Sequence, residues 1–195
     1  MSKQLYRDFE AYKMARRDFV TMVSQAATKP DNVPALIELN VLSLLRPLLL
    51  DNVPTIQETA ALAISRLARV SEKNSEKIIS TGMMHEIVGG LKSKDNRCQK
   101  NLCNVIKNVA KHSPNLAKEV VGSGCIEPLI KCLEGSKEAP TSNQVIGAAA
   151  SSLKAIASHN AELAQEVVGA SALAPLIKTL ERNDNALRRV SVSAI

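Results

Sequence analysis

One block of sixteen residues occurs twice in this chain. EVVGSGCIEPLIKCLE, beginning at Glu119, returns as EVVGASALAPLIKTLE from Glu166, with the same residue at ten positions. Two fainter copies lie upstream, KIISTGMMHEIVGGLK from Lys77 and ALIELNVLSLLRPLLL from Ala35. Leu36, Ile78, Val120 and Val167 are then equivalent, as are Asn40, Gly82, Gly124 and Ser171, and Leu49, Leu91, Leu133 and Leu180, at spacings of 42, 42 and 47 residues. A chain that repeats itself in this way stacks one small unit on the next, because no single unit can bury its apolar face alone.

The period separates the repeat classes. Ankyrin and tetratricopeptide units are shorter, at about 33–34 residues, whereas ~40–47 residues is the span of HEAT and armadillo units built from two or three helices. Each unit here reads as three helices. A short first helix ends near Gly82 or Gly124, where glycine supplies the left-handed conformation that closes a helix. A second carries the stripe Ile126, Leu129, Ile130 and Leu133, with Pro128 accommodated in its first turn. After a polar break, SKDN at 93–96 or RNDN at 182–185, comes the longest helix, whose packed face holds Ala60, Ile64 and Leu67 in one unit and Leu102, Ile106 and Val109 in the next. The five residues that lengthen the third unit fall in GSKEAPTSN, Gly135 to Asn143, and read as a tolerated surface insertion.

Both ends differ from the interior. Residues 2–28 form one amphipathic helical pattern with Leu5, Phe9, Tyr12, Phe19, Val23 and Ala26 on one side, interrupted by Arg16, and Pro30 and Asp31 end it. The expected organisation is therefore an N-terminal capping helix in residues 1–30 and about four repeats over 31–195, starting near residues 32, 74, 116 and 162. Ile195 aligns with Ile64 and Ile106, so the last unit is read as incomplete, the expectation being a piece of a longer repeat protein or a stack continued by a partner.

The pattern resembles the armadillo family over nearly the whole chain. Longer strings, LLRPLLLDNVPTIQETAALAISRLA from Leu44, AKHSPNLAKEVVGSG from Ala110, ASHNAELAQEVV from Ala157 and FEAYKMARRDFVTMVSQAATKPDN from Phe9, are similar to the armadillo proteins of the flagellar central pair. That resemblance implies an all-α, right-handed superhelical solenoid. It also implies a structural component of the motile axoneme's central apparatus, in the cytoplasm and cytoskeleton, with other central-apparatus proteins and the microtubule as partners. The second unit, MMHEIVGGLKSKDNRCQKNLCNVIKN from Met83, and the insertion depart from the family pattern.

Composition narrows the chemistry. There is no Trp, and the two Phe and two Tyr all lie within the first nineteen residues, so the core is aliphatic and the aromatic platforms on which single-stranded nucleic acid stacks are absent. Cys98, Cys103, Cys125 and Cys132 show no C-x-x-C pair and no histidine pair at metal spacing, and read as reduced, packed thiols rather than a metal site. No run approaches the ~20 apolar residues of a membrane span, and the N-terminus lacks the apolar core of a secretory signal. Neither nucleic acid nor membrane is expected as a partner. The G-x-x-x-x-G-K-[ST] phosphate loop is missing, and His112 and His159 occupy equivalent positions after third helices, where an imidazole meets the negative end of a helix dipole as a solvated cap. No catalytic residue and no cofactor is expected.

The third helices carry the candidate site. Nuclear-import members of the family line this groove with Trp and Asn; the equivalent positions here hold Leu62, Asn104 and Ser151 for Trp, and Arg66, Asn108 and Ala155 for Asn, so only Asn108 matches. Positive charge gathers there instead. Arg66, Arg69, Lys107, Asn108, Lys111, Lys154, Arg188 and Arg189 are the candidate contacts of a concave groove for an acidic extended partner such as a tubulin tail, in keeping with a net charge of +6. The alternative for these residues is an ordinary solvated face. The alternative for the whole chain is a cytosolic adaptor or transport receptor holding a mobile peptide, and self-association through the uncovered last unit is also expected.

Overall fold

The computed structural model describes residues 3–135 and 141–195. Among them every regular element is helical. A long helix, α1 (Lys3–Ala26), leads into four triplets. The first is α2 (Val33–Glu38), α3 (Val41–Leu45, continued by a 3-10 turn at Arg46–Leu50) and α4 (Pro54–Val70). Then come α5 (Glu72–Ser80), α6 (Met84–Gly90) and α7 (Asn96–Ala110); α8 (Pro114–Gly122), α9 (Ile126–Glu134) and α10 (Asn143–Ala157); and α11 (Ala161–Gly169), α12 (Leu173–Thr179) and α13 (Asn185–Val192). Most of the Gly135–Asn143 insertion lies outside the described residues, which resume at Thr141.

Local chemistry places the breaks. Ser71, Ser113 and Asn160 cap the first helices of the last three triplets, each side chain accepting the backbone N–H three residues on. Asp95, Ser142 and Asp184 do the same for α7, α10 and α13, satisfying N–H groups that a helix start leaves open. Between the first and second helix of every triplet stands one left-handed residue: Asn40 (φ 55), Gly82 (φ 72), Gly124 (φ 77) and Ser171 (φ 67). The four are the equivalent positions of the sequence repeat. The backbone reversal is thus common to all units, although two of them make it without glycine and bear the steric cost of a Cβ.

The third helices pack side by side, α1 against α4, α4 against α7, α7 against α10 and α10 against α13. Their inward stripes, Ala60–Ile64–Leu67, Leu102–Ile106–Val109 and Ala149–Leu153–Ile156, are buried throughout. The largest fully buried side chains are Leu, Ile and Met, as an aromatic-poor sequence requires.

The N-terminal helix behaves as two halves. Val20 and Val23 are buried and Phe19 packs against the same core, whereas Leu5, Phe9 and Tyr12 on the expected apolar side are exposed, Phe9 by 64%. Arg16, which appears in the sequence as an interruption of that side, marks the division. Its Nε stands 2.9 Å from Asp51 Oδ2 as an ion pair, and its guanidinium lies 4.4 Å from the centroid of the Tyr12 ring. The charge ties the helix to the end of the Arg46–Leu50 turn at the point where hydrophobic packing stops.

Candidate protein-binding face

The outward stripe of α7 is Arg97, Lys100, Asn104, Lys107 and Lys111, one residue every three or four positions. Corresponding stripes on the neighbouring helices carry Glu58 and Arg69 on α4, Gln144 and Lys154 on α10, and Arg189 on α13. One layer of helices therefore presents seven cations and a single carboxylate. Glu58 is occupied by Arg97 at 3.6 Å, and Lys100 Nζ donates to Gln144 Oε1 at 2.9 Å. Among the described residues no carboxylate pairs with Arg69, Lys107, Lys111, Lys154 or Arg189.

The eight residues singled out from sequence divide by what they touch. Asn108 is buried and donates its amide to the Ser65 carbonyl at 3.0 Å and to Ser65 Oγ at 3.2 Å, joining the second triplet to the first. Arg66 holds Ser24 of α1 in the same way, Nη1 lying 2.6 Å from its carbonyl and 2.7 Å from its hydroxyl. Arg188 donates Nε to the Leu180 carbonyl at 3.0 Å, the role that Gln57 plays toward Leu49 three triplets earlier and Gln99 toward Leu91 two triplets earlier. In these contacts the three act as internal fasteners, not as ligand contacts. Lys154 reaches the Ser193 hydroxyl and stays exposed, as do Arg69 and Arg189.

Lys107 and Lys111 are the centre of the cationic strip. Lys107 is half-buried, and burial holds its ammonium below the ordinary lysine range; among the described residues its side chain bonds Asn104 Oδ1 at 3.1 Å. Lys111 is lowered as well, by burial first and then by the charges of Lys107 and Arg69. Cations that repel one another while partly desolvated are stabilised by an anion that arrives from outside. Sequence inspection missed Arg97 and Lys100, which stand on the same stripe, although stepping back from Lys107 by helical period reaches both.

The histidines are not solvated caps of their own helices. His112 Nε2 lies 2.8 Å from the Ala68 carbonyl and His159 Nε2 2.7 Å from the Ala110 carbonyl, so each donates a proton to the end of the preceding third helix. Lys111 Nζ reaches the Arg69 carbonyl at 3.3 Å, while Asn74 and Ser75 bond the carbonyls of Leu67 and Ala68. Three of the carbonyls that α4 leaves open, those of Leu67, Ala68 and Arg69, are thus closed by the following triplet. Among the described residues no group of three His, Cys, Asp or Glu side chains could hold a metal, and no single helix is long and apolar enough to cross a membrane.

Helical triplets at this period, with stacked third helices and a polar strip along them, define an armadillo-repeat solenoid, an architecture that offers extended surfaces to other proteins. Residues 29–69 match the Armadillo/beta-catenin-like repeat family. The chain is 46% identical to sperm-associated antigen 6 of Mus musculus over 89 residues, which is 46% of this chain and 18% of that protein, and 45% identical to its Homo sapiens counterpart over the same length. The match thus spans less than a fifth of those relatives. A designed armadillo repeat protein in complex with the peptide (KR)4 has a TM-score of 0.83 at 28% identity, covering 90% of this chain and 72% of that one. A second designed armadillo repeat protein has a TM-score of 0.84 at 27% identity, covering 91% and 73%.

Proposed function

We propose that this chain is a non-enzymatic interaction scaffold of the motile axoneme's central apparatus, and that its third-helix face forms the concave groove that takes an acidic, extended segment of a partner such as a tubulin tail. The observation that carries the reading is the strip of Arg69, Lys107, Lys111, Lys154 and Arg189, none of which has a carboxylate partner among the described residues. The axonemal placement rests on the similarity to sperm-associated antigen 6. With Asn108 and Arg66 engaged inside the stack, recognition falls to side-chain charge, which gives strong salt dependence and tolerance of sequence.

The test is binding of the chain to microtubules, intact or stripped of their acidic C-terminal tails, over a range of salt. The paired change Lys107→Glu with Lys111→Glu is expected to weaken binding to intact microtubules by roughly ten- to a hundred-fold, as loss of two partly desolvated charge contacts implies, and to flatten the salt dependence. Equal sedimentation of variant and parent would overturn the groove. The scaffold reading has its own test in flagellated cells, where retention in detergent-extracted axonemes supports it and loss with the soluble cytoplasm favours an adaptor for mobile peptides. The peptide (KR)4 held by the designed relative has the wrong charge for this strip and is expected not to bind.

A further inference from the structure

Successive joints between triplets are bridged differently. Arg46 crosses the first joint, its Nε and Nη2 bonding Glu86 Oε1 at 2.9 and 2.7 Å and its Nη1 the Thr81 carbonyl at 2.6 Å. One repeat of 42 residues further on, the positions of Arg46, Glu86 and Thr81 are held by Val88, Pro128 and Ser123. Valine and proline cannot remake the ion pair. All three residues instead line a cleft of about 650 Å³ between α6 and α9, in the place that a guanidinium occupies one joint earlier.

The walls of this cleft are apolar at Val88 and Pro128 and basic at His85, Lys92, Lys94 and Lys131. Among the described residues one carboxylate lines it, that of Glu127, and Lys131 Nζ holds it at 2.7 Å. The Lys131 hydrogen bond and charge, and after them the charge of Lys92, keep the Glu127 carboxyl below the usual range. Lys92 itself is exposed and has no carboxylate partner among the described residues. The cleft thus combines uncovered apolar surface with surplus positive charge, and a cleft lined by one sign of charge concentrates ions of the other.

We propose that this cleft is a second peptide-binding site, separate from the third-helix strip, which takes a short segment of a partner protein carrying an apolar side chain beside a carboxylate. The apolar side chain covers Val88 and Pro128, and the carboxylate meets Lys92. A volume of about 650 Å³ lies within the ~300–1,000 Å³ range of ligand sites and far exceeds what one arginine side chain fills. Neighbouring residues of one peptide satisfy the two demands together, whereas a bare anion leaves the apolar wall wet. Gln99 of α7 lines the cleft while the next residue, Lys100, belongs to the strip, so the two sites use different faces of that helix. Recognition here requires apolar contact as well as charge, and it does not depend on the groove proposed above.

The experiment is selection of a phage-displayed heptapeptide library on the full chain carrying Lys107→Glu with Lys111→Glu, so that acidic peptides coating the strip are not retained. The expected peptides place Asp or Glu within a residue or two of Leu, Ile, Met or Phe. Their affinity, read by fluorescence anisotropy of the synthetic peptides, is expected to fall by about tenfold or more in Lys92→Glu, as loss and reversal of a charge contact implies. Gly89→Leu gives a variant that fills the cleft without disturbing the core. Gly89 lines the cleft, and a Cβ added there meets nothing within 4 Å. Its Tm is expected to be no lower than the parent's, because leucine favours a helix more than glycine does, and its peptide binding to be lost. Enrichment of no peptide, enrichment of peptides without an acid, or equal binding to parent and Gly89→Leu would each overturn the proposal while leaving the third-helix groove untouched.

Discussion

Asn108 offers the sharpest test of how the stack is held, because sequence comparison and structure give it different roles. As a groove residue it would face a ligand; in the structure its amide is buried and spans two triplets through the Ser65 carbonyl and hydroxyl. Asn108→Ala removes both bonds. The carbonyl belongs to α4 and retains its helical partner, so the loss is that of two neutral hydrogen bonds at about 1 kcal/mol each, or roughly 2 kcal/mol in total. For a chain of this size that corresponds to a fall in Tm of about 4–8 °C. Thermal unfolding followed by circular dichroism reads it, and a double-mutant cycle with Ser65→Ala isolates the hydroxyl contact at ~0.5–1.5 kcal/mol of coupling. Asn108→Asp is expected to be worse than Asn108→Ala, since a carboxylate cannot donate and would be buried against a carbonyl. A Tm unchanged within about a degree, with loss of partner binding instead, would refute the fastener and restore the residue to the groove.

Lys107→Met is expected to raise Tm by on the order of 1 °C at neutral pH while weakening acidic-partner binding. Burial lowers the folded pKa of Lys107, so its charge costs stability at neutral pH, a cost relieved as pH rises through the folded value toward the unfolded ~10.4. The gain from Met should therefore shrink on approaching that pH. Ser171→Gly is expected to stabilise by about 1 kcal/mol by removing a Cβ from a left-handed position, and Gly124→Ala to destabilise by ~1–2 kcal/mol through strain alone, because its Cβ would meet nothing; urea unfolding of both reads the signs. Glu86 is pushed up by burial, but the Arg46 hydrogen bonds and charge, with its own backbone N–H, bring its carboxyl below the usual range. Its contribution is present above the unfolded value of ~4.3 and lost as pH falls through the folded one. Acid unfolding of Arg46→Met should lack that component.

The fold was legible because each unit writes the same instructions. The 42- and 47-residue spacings located the left-handed positions at Asn40, Gly82, Gly124 and Ser171, and the apolar period located the buried faces of the third helices. The candidate face was legible in part. Charge on the third helices could be read directly, but two arginines and an asparagine of the eight residues turned inward, and Arg97 and Lys100 were overlooked. The histidine positions were read correctly, but the helices they close were not.

What the sequence determined by itself is whatever depends on neighbours along the chain: period, caps, turns, and the side each helix must bury. Those follow from backbone sterics and helical geometry acting over a few residues. Tertiary structure alone decided which polar side chains are spent inside. Asn108 finds Ser65 43 residues away and His159 finds Ala110 49 away, and no local pattern says that a long polar side chain will meet an open carbonyl of the preceding triplet rather than water. The same holds for α1, where Phe9 and Val23 share one helical side but only the second has a helix opposite it. Stacking supplies those partners, and with them the division between residues that hold the solenoid together and residues left free to bind.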